Sequence, residues 1–292
     1  MKDLHGVFVA LVTPFLPDGR VNKLALRQLI RMNLHKGVNG FYCCGSTAEA
    51  FLMPHEQRKE VLEICAEEIA GEAAIIAHVG EISQDGAVDL ARHAAGLEVD
   101  AVSSVAPFYY PFTFEEIRRY YFALAESADL PVIVYHIPGY SGVKLSEEQI
   151  ASILEDPRFA GLKHTSSDFF ALERLHSRFP DKYIFNGYDE MFLSGLAAGA
   201  TGGIGSTYNV MAEKFIRMYE LAGENRWDEA RRIQTDVNKV VSVLLRTGVI
   251  QGIKGLLTLM GIDAGNARAP FRALSGEEMD ELRAILPLIR AL

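Results

Sequence analysis

A lysine stands near the end of an apolar, strand-like run, Phe159–Ser166, which reads FAGLKHTS. Alternation along a strand puts Gly161, Lys163 and Thr165 on one face and Leu162 and His164 on the other. An ammonium is costly to hold among apolar side chains, so burial lowers its pKa. A neutral amine is a nucleophile toward ketones. At an ordinary pKa of ~10.4 roughly one lysine in a few thousand is neutral at pH 7, and a pKa of ~7–8 recovers most of that loss. The competing reading is a strand-end lysine that extends its amine to solvent. The other strand ends decide between them.

Strand-like VIVYHIP places Ile133, Tyr135 and Ile137 on one face and His136 on the other. A tyrosine beside Lys163 can relay a proton, or can be a core residue with a satisfied hydroxyl. Gly45-Ser46-Thr47 offers two hydroxyls and exposed N–H groups suited to a small carboxylate, or merely a loop that caps a helix. In Asn186-Gly187-Tyr188-Asp189-Glu190 the adjacent carboxylates can accept hydrogen bonds from a polyol, or act as an N-cap and a first-turn charge. Gly202–Ser206 is glycine-rich where many barrels hold phosphate, but no Lys or Arg occurs between Glu190 and Lys214, which favours a neutral, hydroxyl-bearing ligand. His78, His136 and His164 raise a metal site. His136 and His164 have the wrong parity for the barrel lumen, and the acidic pair lacks a metal-motif spacing, so these histidines are expected to be packed or hydrogen-bonded under helices.

The elements that must position these groups alternate along the chain. Strands are expected over Gly6–Thr13, Gly40–Gly45, Ala73–Gly80, Ala101–Pro107, Pro131–Pro138, Phe159–Ser166, Tyr183–Gly187 and Gly202–Ser206. Helices fall between them, over Lys23–Lys36, His55–Ala70, Gln84–Gly96, Phe114–Ala128, Ser146–Leu154, Asp168–Phe179 and Glu190–Ala198. The strands read as nearly continuous apolar runs, as expected when both faces are covered. Eight such units predict an α/β fold, a parallel (β/α)8 TIM barrel over residues 1–210. Helices only follow over 211–292: Ala212–Ala222, Trp227–Thr247, Gly248–Met260 and Gly276–Ala291. No linker composition separates this C-terminal helical extension, so residues 1–292 are expected to form a single domain.

Composition narrows the class. The 292 residues are 49% hydrophobic with a net charge of −9, and the absence of a basic run argues against a nucleic-acid partner. No apolar run approaches the ~18 residues of a membrane span, and Pro14 interrupts an N-terminal apolar part too short for a signal peptide. Cys43, Cys44 and Cys65, an odd number without CxxC spacing, suggest reduced thiols in a cytoplasmic protein.

Taken together, GSTAEAF (45–51), PFYYPF (107–112), YHIPGYSGVKL (135–145), LKHTS (162–166), NGYDE (186–190) and GGIGSTYN (202–209) resemble the N-acetylneuraminate lyase branch of the dihydrodipicolinate synthase superfamily of class I aldolases. The similarity covers nearly the whole chain in order. It implies a barrel, usually a homotetramer, that cleaves sialic acid to N-acetylmannosamine and pyruvate without metal or organic cofactor. On matching positions it implies Lys163 as the Schiff-base lysine and Tyr135 as the proton relay. Ser46 and Thr47 would hold the pyruvyl carboxylate, and Thr165, Gly187, Asp189, Glu190 and Ser206 the sugar chain. Tyr109 would reach a neighbouring subunit's site. Ala48 stands where the family usually has Gly, His136 where it has Asn, and His164 where relatives often have Gln. Ile250 replaces an aromatic residue of some lyases, and with Ala48 leaves fine substrate preference open. Two rivals remain: another pyruvate-dependent aldolase or dehydratase on this fold, and a non-catalytic barrel that binds sialic acid or pyruvate.

Overall fold

A computed structural model describes residues 2–290, so Met1, Ala291 and Leu292 at the ends of the expected domain and last helix lie outside the described residues. Its elements are β1 (Gly6–Ala10), α1 (Lys23–His35), β2 (Gly40–Cys43), α2 (His55–Ile69), β3 (Ala74–His78), α3 (Gln84–Ala95), β4 (Ala101–Val105) and α4 (Phe114–Ser127). Then come β5 (Val132–His136), α5 (Pro138–Ser141), α6 (Glu147–Leu154), β6 (Phe159–His164), α7 (Phe169–Arg178), β7 (Tyr183–Asn186), α8 (Phe192–Ala197), β8 (Gly202–Gly205) and α9 (Tyr208–Gly223). The chain finishes with α10 (Trp227–Thr247), α11 (Val249–Leu259) and α12 (Gly276–Arg290). The eight strands pair in chain order, all parallel, and β8 closes on β1.

The apolar runs are continuous because each strand is buried on two sides. Phe8, Tyr42, Ile76, Ile133, Phe185 and Ile204 pack inside the barrel. Their neighbours Val7, Phe41, Ile75, Val134, Leu162 and Ile184 face the surrounding helices. Each large side chain removed from water contributes about 1.5–3 kcal/mol. Caps set several helix starts: Ser146 accepts from Gln149 N at 3.2 Å at the head of α6, and Asp168 from Ala171 N at 3.0 Å at the head of α7.

The structure adds the short helix α5 after β5, which the sequence did not suggest, and departs further from expectation at strand ends and two helix starts. Most strands end earlier, at Ala10, His78 and His164 for example, because the backbone leaves the ladder at the barrel top to form the βα-loops. Thr165 still donates its N–H to His136 O at 2.9 Å. The helix expected over Glu190–Ala198 is a 3-10 turn, Asp189–Met191, followed by α8. The helix expected at Ala212, as the first of the extension, begins at Tyr208, bends at Met211 and packs on β1. There Asn209 Nδ2 donates to Ala10 O at 2.7 Å and Asn209 Oδ1 accepts from Val12 N at 3.2 Å. It therefore occupies the place of the eighth barrel helix, leaving α10–α12 as the extension.

His136 and His164 lie outside the barrel as their parity requires, with ring centroids 5.7 Å apart. His136 Nε2 accepts from Leu145 N at 3.3 Å. Burial, then the neighbouring His164, brings His136 down to about 4. An unfolded-state His136 takes its proton near pH ~6.5. Between those values the unfolded chain binds more protons, so stability is full above pH ~6.5 and falls toward pH ~4, by on the order of 3 kcal/mol. Because buried Asp189 has the opposite pH dependence, the His136 contribution is read as a difference: the stability of the parent protein relative to His136→Asn, from urea midpoints, should fall between about pH 7 and about pH 4.5.

Candidate active site

Lys163, Tyr135, Ser46, Thr47, Thr165, Gly187, Asp189, Glu190 and Ser206 all line one cavity of about 160 Å³ at the C-terminal ends of the strands. Tyr135 sits directly opposite Lys163 in the β5–β6 ladder, and Lys163 opposite Phe185 in β6–β7. Tyr109, in contrast, is 83% exposed and lies outside its own chain's cavity. Its backbone is left-handed (φ 77°) and its ring meets the Tyr110 edge at 5.1 Å.

The lysine is only 4% exposed, and its Nζ lies 4.1 Å from the ring centroids of both Tyr42 and Tyr135. Desolvation brings it down to about 7, against the upward pull of the Asp189 charge. At that value about half of the amines are neutral at pH 7. Burial pushes the Tyr135 phenol up to about 12, and the hydroxyls of Ser46 and Thr165 draw it part of the way back. Tyr135 thus keeps its proton at neutral pH and can both give and receive one.

Ser46, Thr47 and Ala48 form a 3-10 turn in which Ala48 N donates to Gly45 O at 3.0 Å. Cys44 (φ 57°) and Glu49 (φ 61°) are the left-handed residues of this loop and Ala48 is not, so alanine at position 48 carries no backbone strain. Glu49 is buried and paired with Lys254 Nζ of α11 at 2.5 Å, and its other oxygen accepts from Arg268 N at 2.5 Å. Lys254 lies over the Phe15 ring, 4.4 Å from its centroid. The hydroxyl-bearing loop is thereby tied to the helical extension.

Asp189 reaches across to the end of β8. Its Oδ2 accepts from Thr207 N at 2.7 Å and from Ser206 Oγ at 3.4 Å. Burial raises it to about 6, opposed by those Thr207 hydrogen bonds. Two glycines make room for this crossing. A Cβ on Gly205 would meet Asp189 Oδ1 at 2.1 Å, and one on Gly187 would meet Thr165 Oγ1 at 1.9 Å. Glu190 lines the cavity at intermediate exposure. Val241, Leu244 and Leu245 of α10 and Val249 and Ile250 of α11 close the outer side.

Sequence reasoning missed Tyr42, Glu49, Lys254, Thr207 and most of this outer wall. The signal for Tyr42 was present, since it shares the parity of Gly40 in GFYC. His78 departs from the expectation that it would lie under the helices. Its ring approaches Tyr42 and Tyr135 at 5.9 and 6.0 Å, while Nδ1 faces Cys44 O at 3.0 Å and Nε2 accepts from Val105 N at 3.3 Å. Among the described residues no group of three or more His, Cys, Asp or Glu could hold a metal ion.

Fold and site together define a (β/α)8 barrel built around a dry, near-neutral lysine at its C-terminal mouth. The chain belongs to the dihydrodipicolinate synthetase family, whose profile matches residues 3–288. It is 43% identical over 286 residues to an N-acetylneuraminate lyase of Citrobacter koseri, covering 97% of this chain and 96% of that protein. Among solved structures, CdNal from Clostridium difficile in complex with mannosamine superposes with a TM-score of 0.96 at 37% identity, covering 99% of this chain and 100% of that one. A catalytic lysine mutant of the Ruminococcus gnavus sialic acid aldolase gives a TM-score of 0.95 at 30% identity, covering 99% and 97%.

Removing one partner of the buried pair leaves an uncompensated charge, so Lys254→Ala should cost about 3–5 kcal/mol in denaturant titration. Combining Glu49→Gln with Lys254→Met should recover much of that loss, because neither buried side chain is then charged.

Proposed function

We propose that this chain is a carbon–carbon lyase that reversibly cleaves N-acetylneuraminate to N-acetylmannosamine and pyruvate through a Schiff base on Lys163. One observation carries the reading: an amine brought down to about 7 by burial shares a single cavity with Tyr135, the Ser46–Thr47 loop and the Asp189–Glu190 pair. The lyase and aldolase names of its relatives agree with it.

Neutral Lys163 attacks the C2 ketone of the open-chain sugar acid, and loss of water leaves a protonated imine. Ser46 and Thr47 hold the carboxylate so that the ketone faces the amine. Tyr135 relays the C4 hydroxyl proton, accepting it while passing its own to the substrate carboxylate; the C3–C4 bond breaks, and its electron pair is stored as the enamine of pyruvate. The aldehyde, N-acetylmannosamine, leaves; the enamine takes a proton at C3, and water releases pyruvate. Thr165, Gly187, Asp189, Glu190 and Ser206 form the sugar-chain side. Their carboxylates accept hydrogen bonds from neutral hydroxyls and repel a second carboxylate. Among the described residues no arginine lines the cavity, so an aldehyde bearing a carboxylate lacks a bidentate partner there. This favours N-acetylmannosamine over the aldehyde of dihydrodipicolinate synthesis.

The assembly proposed with it is a homotetramer, in which Tyr109, exposed on its own chain, reaches a neighbour's site. Three buried, unpaired cysteines suit a reducing, cytoplasmic setting.

Borohydride with pyruvate should inactivate the enzyme and leave a reduced adduct on Lys163 in peptide mass mapping; an adduct elsewhere or none would refute the assignment. The acid limb of kcat/KM should fall near pH 7, where the amine gains its proton. Lys163→Ala should abolish cleavage, and Lys163→Arg should fail as well because guanidinium stays charged.

The acidic pair belongs to a different half-reaction. Asp189→Asn and Glu190→Gln should each weaken sialic acid turnover by about tenfold or more, equal to roughly 1.4 kcal/mol of binding to the sugar. Pyruvate trapping at Lys163 should change little in Glu190→Gln, whereas Asp189→Asn, which removes the anion beside the amine, should also move the acid limb of trapping to lower pH. Equal losses of both activities would place the pair elsewhere in the mechanism.

A further inference from the structure

Imine formation changes the charge on one atom, and the environment of that atom includes a residue with no role in the account above. Tyr42 is fully buried, and its ring centroid lies as close to Lys163 Nζ, at 4.1 Å, as that of Tyr135. The two rings stand 5.9 Å apart at 82°, so two aromatic surfaces converge on one nitrogen. The Tyr42 hydroxyl donates to Ser103 Oγ at 3.0 Å on β4, which fixes the ring across the lumen. Its edge lies beneath the Ser46–Thr47 loop, where a Cβ on Gly45 would meet Tyr42 Cε1 at 2.5 Å.

The step is balanced as follows. The Lys163 lone pair forms the bond to the ketone carbon, and the carbonyl π pair moves to oxygen, which is protonated. The nitrogen gives up one of its protons, the hydroxyl takes another and departs as water, and the nitrogen lone pair completes the C=N bond. Amine, ketone and one proton thus become a cationic iminium and water. The site disfavours a cation at this nitrogen before the reaction, since burial is what frees the amine. The same dryness would penalise the iminium unless something nearby stabilises its charge. Asp189 is one such group, but its carboxylate is already bound by Thr207 N. An aromatic face is the other: its quadrupole attracts a cation within about 6 Å and offers a neutral amine much less.

We propose that Tyr42 is a further catalytic residue, whose ring face touches the reacting nitrogen and stabilises the iminium formed there. The inference rests on the Schiff-base reading of Lys163. Its function is separate from that of Tyr135, which needs a hydroxyl; Tyr42 needs a π face, held in place by Ser103.

The test keeps shape and changes only the quadrupole. Tyr42→Phe serves as the reference, and mono-, di- and trifluorophenylalanine are placed at the same position. The pyruvate–Lys163 imine is quantified by borohydride trapping and intact mass across a pyruvate titration, with Tm measured on each protein. The apparent affinity for pyruvate should fall with each added fluorine, by roughly two- to tenfold across the series, while Tm stays level. A flat series would overturn the inference, and so would a loss that tracks Tm, which would make Tyr42 a packing residue. Failure of the unsubstituted enzyme to form the Lys163 adduct would instead overturn the Schiff-base reading.

Discussion

Everything in this site depends on keeping water away from one amine. A closed parallel barrel achieves this because its lumen is filled from all sides by side chains such as Phe8, Tyr42, Ile133 and Phe185. The strand that carries Lys163 has neighbours on both edges, so the amine cannot escape sideways to solvent. A nearby anion would normally undo the effect. Here that anion is Asp189, itself buried, raised to about 6 and tied to the end of β8. Desolvation thus raises the carboxyl as it lowers the amine, and for the amine it outweighs the pull of the Asp189 charge.

The second requirement is a fixed distance between the amine and the hydroxyl loop. That loop is not held by the barrel alone. Glu49 uses its left-handed backbone to send a carboxylate into the interior, where Lys254 and the Arg268 N–H meet it. A buried pair of this kind adds little net stability but strongly disfavours any other arrangement of its partners. The helices after the barrel are therefore part of the positioning apparatus, although they supply no group to the proposed chemistry.

Much of this was readable from residue order, and the reasons are physical. A period of two along β5 and β6 is enough to aim Tyr135 and Lys163 inward and His136 and His164 outward, because a paired strand has no freedom to do otherwise. Lys163, Tyr135 and the residues around them then fall together at one end of the barrel by topology. The groups that escaped notice depend on distant parts of the chain. Lys254 lies on a helix like many surface lysines, and only the packing of α11 against the Glu49 loop buries it. Val241, Leu244 and Leu245 look like an ordinary apolar stripe, and nothing local says that the stripe faces a cavity. Strand ends were extended too far because Thr165 and Ser166 continue the strand pattern beyond the last paired residue, His164.

The cavity has two kinds of wall, and this divides it for evolution as well as for chemistry. Strand residues enclose the amine, and altering any of them disturbs the barrel. The opposite side is the aliphatic side chains of Val241, Leu244, Leu245, Val249 and Ile250 from α10 and α11, which carry no charge and close no ladder. Leu244 and Val241 are buried in the core, but Leu245, Val249 and Ile250 are partly exposed and can be exchanged at little structural expense. A lineage that kept the strand ends could then hand the same pyruvate enamine to aldehydes of a different shape, simply by recutting the helical side of the pocket.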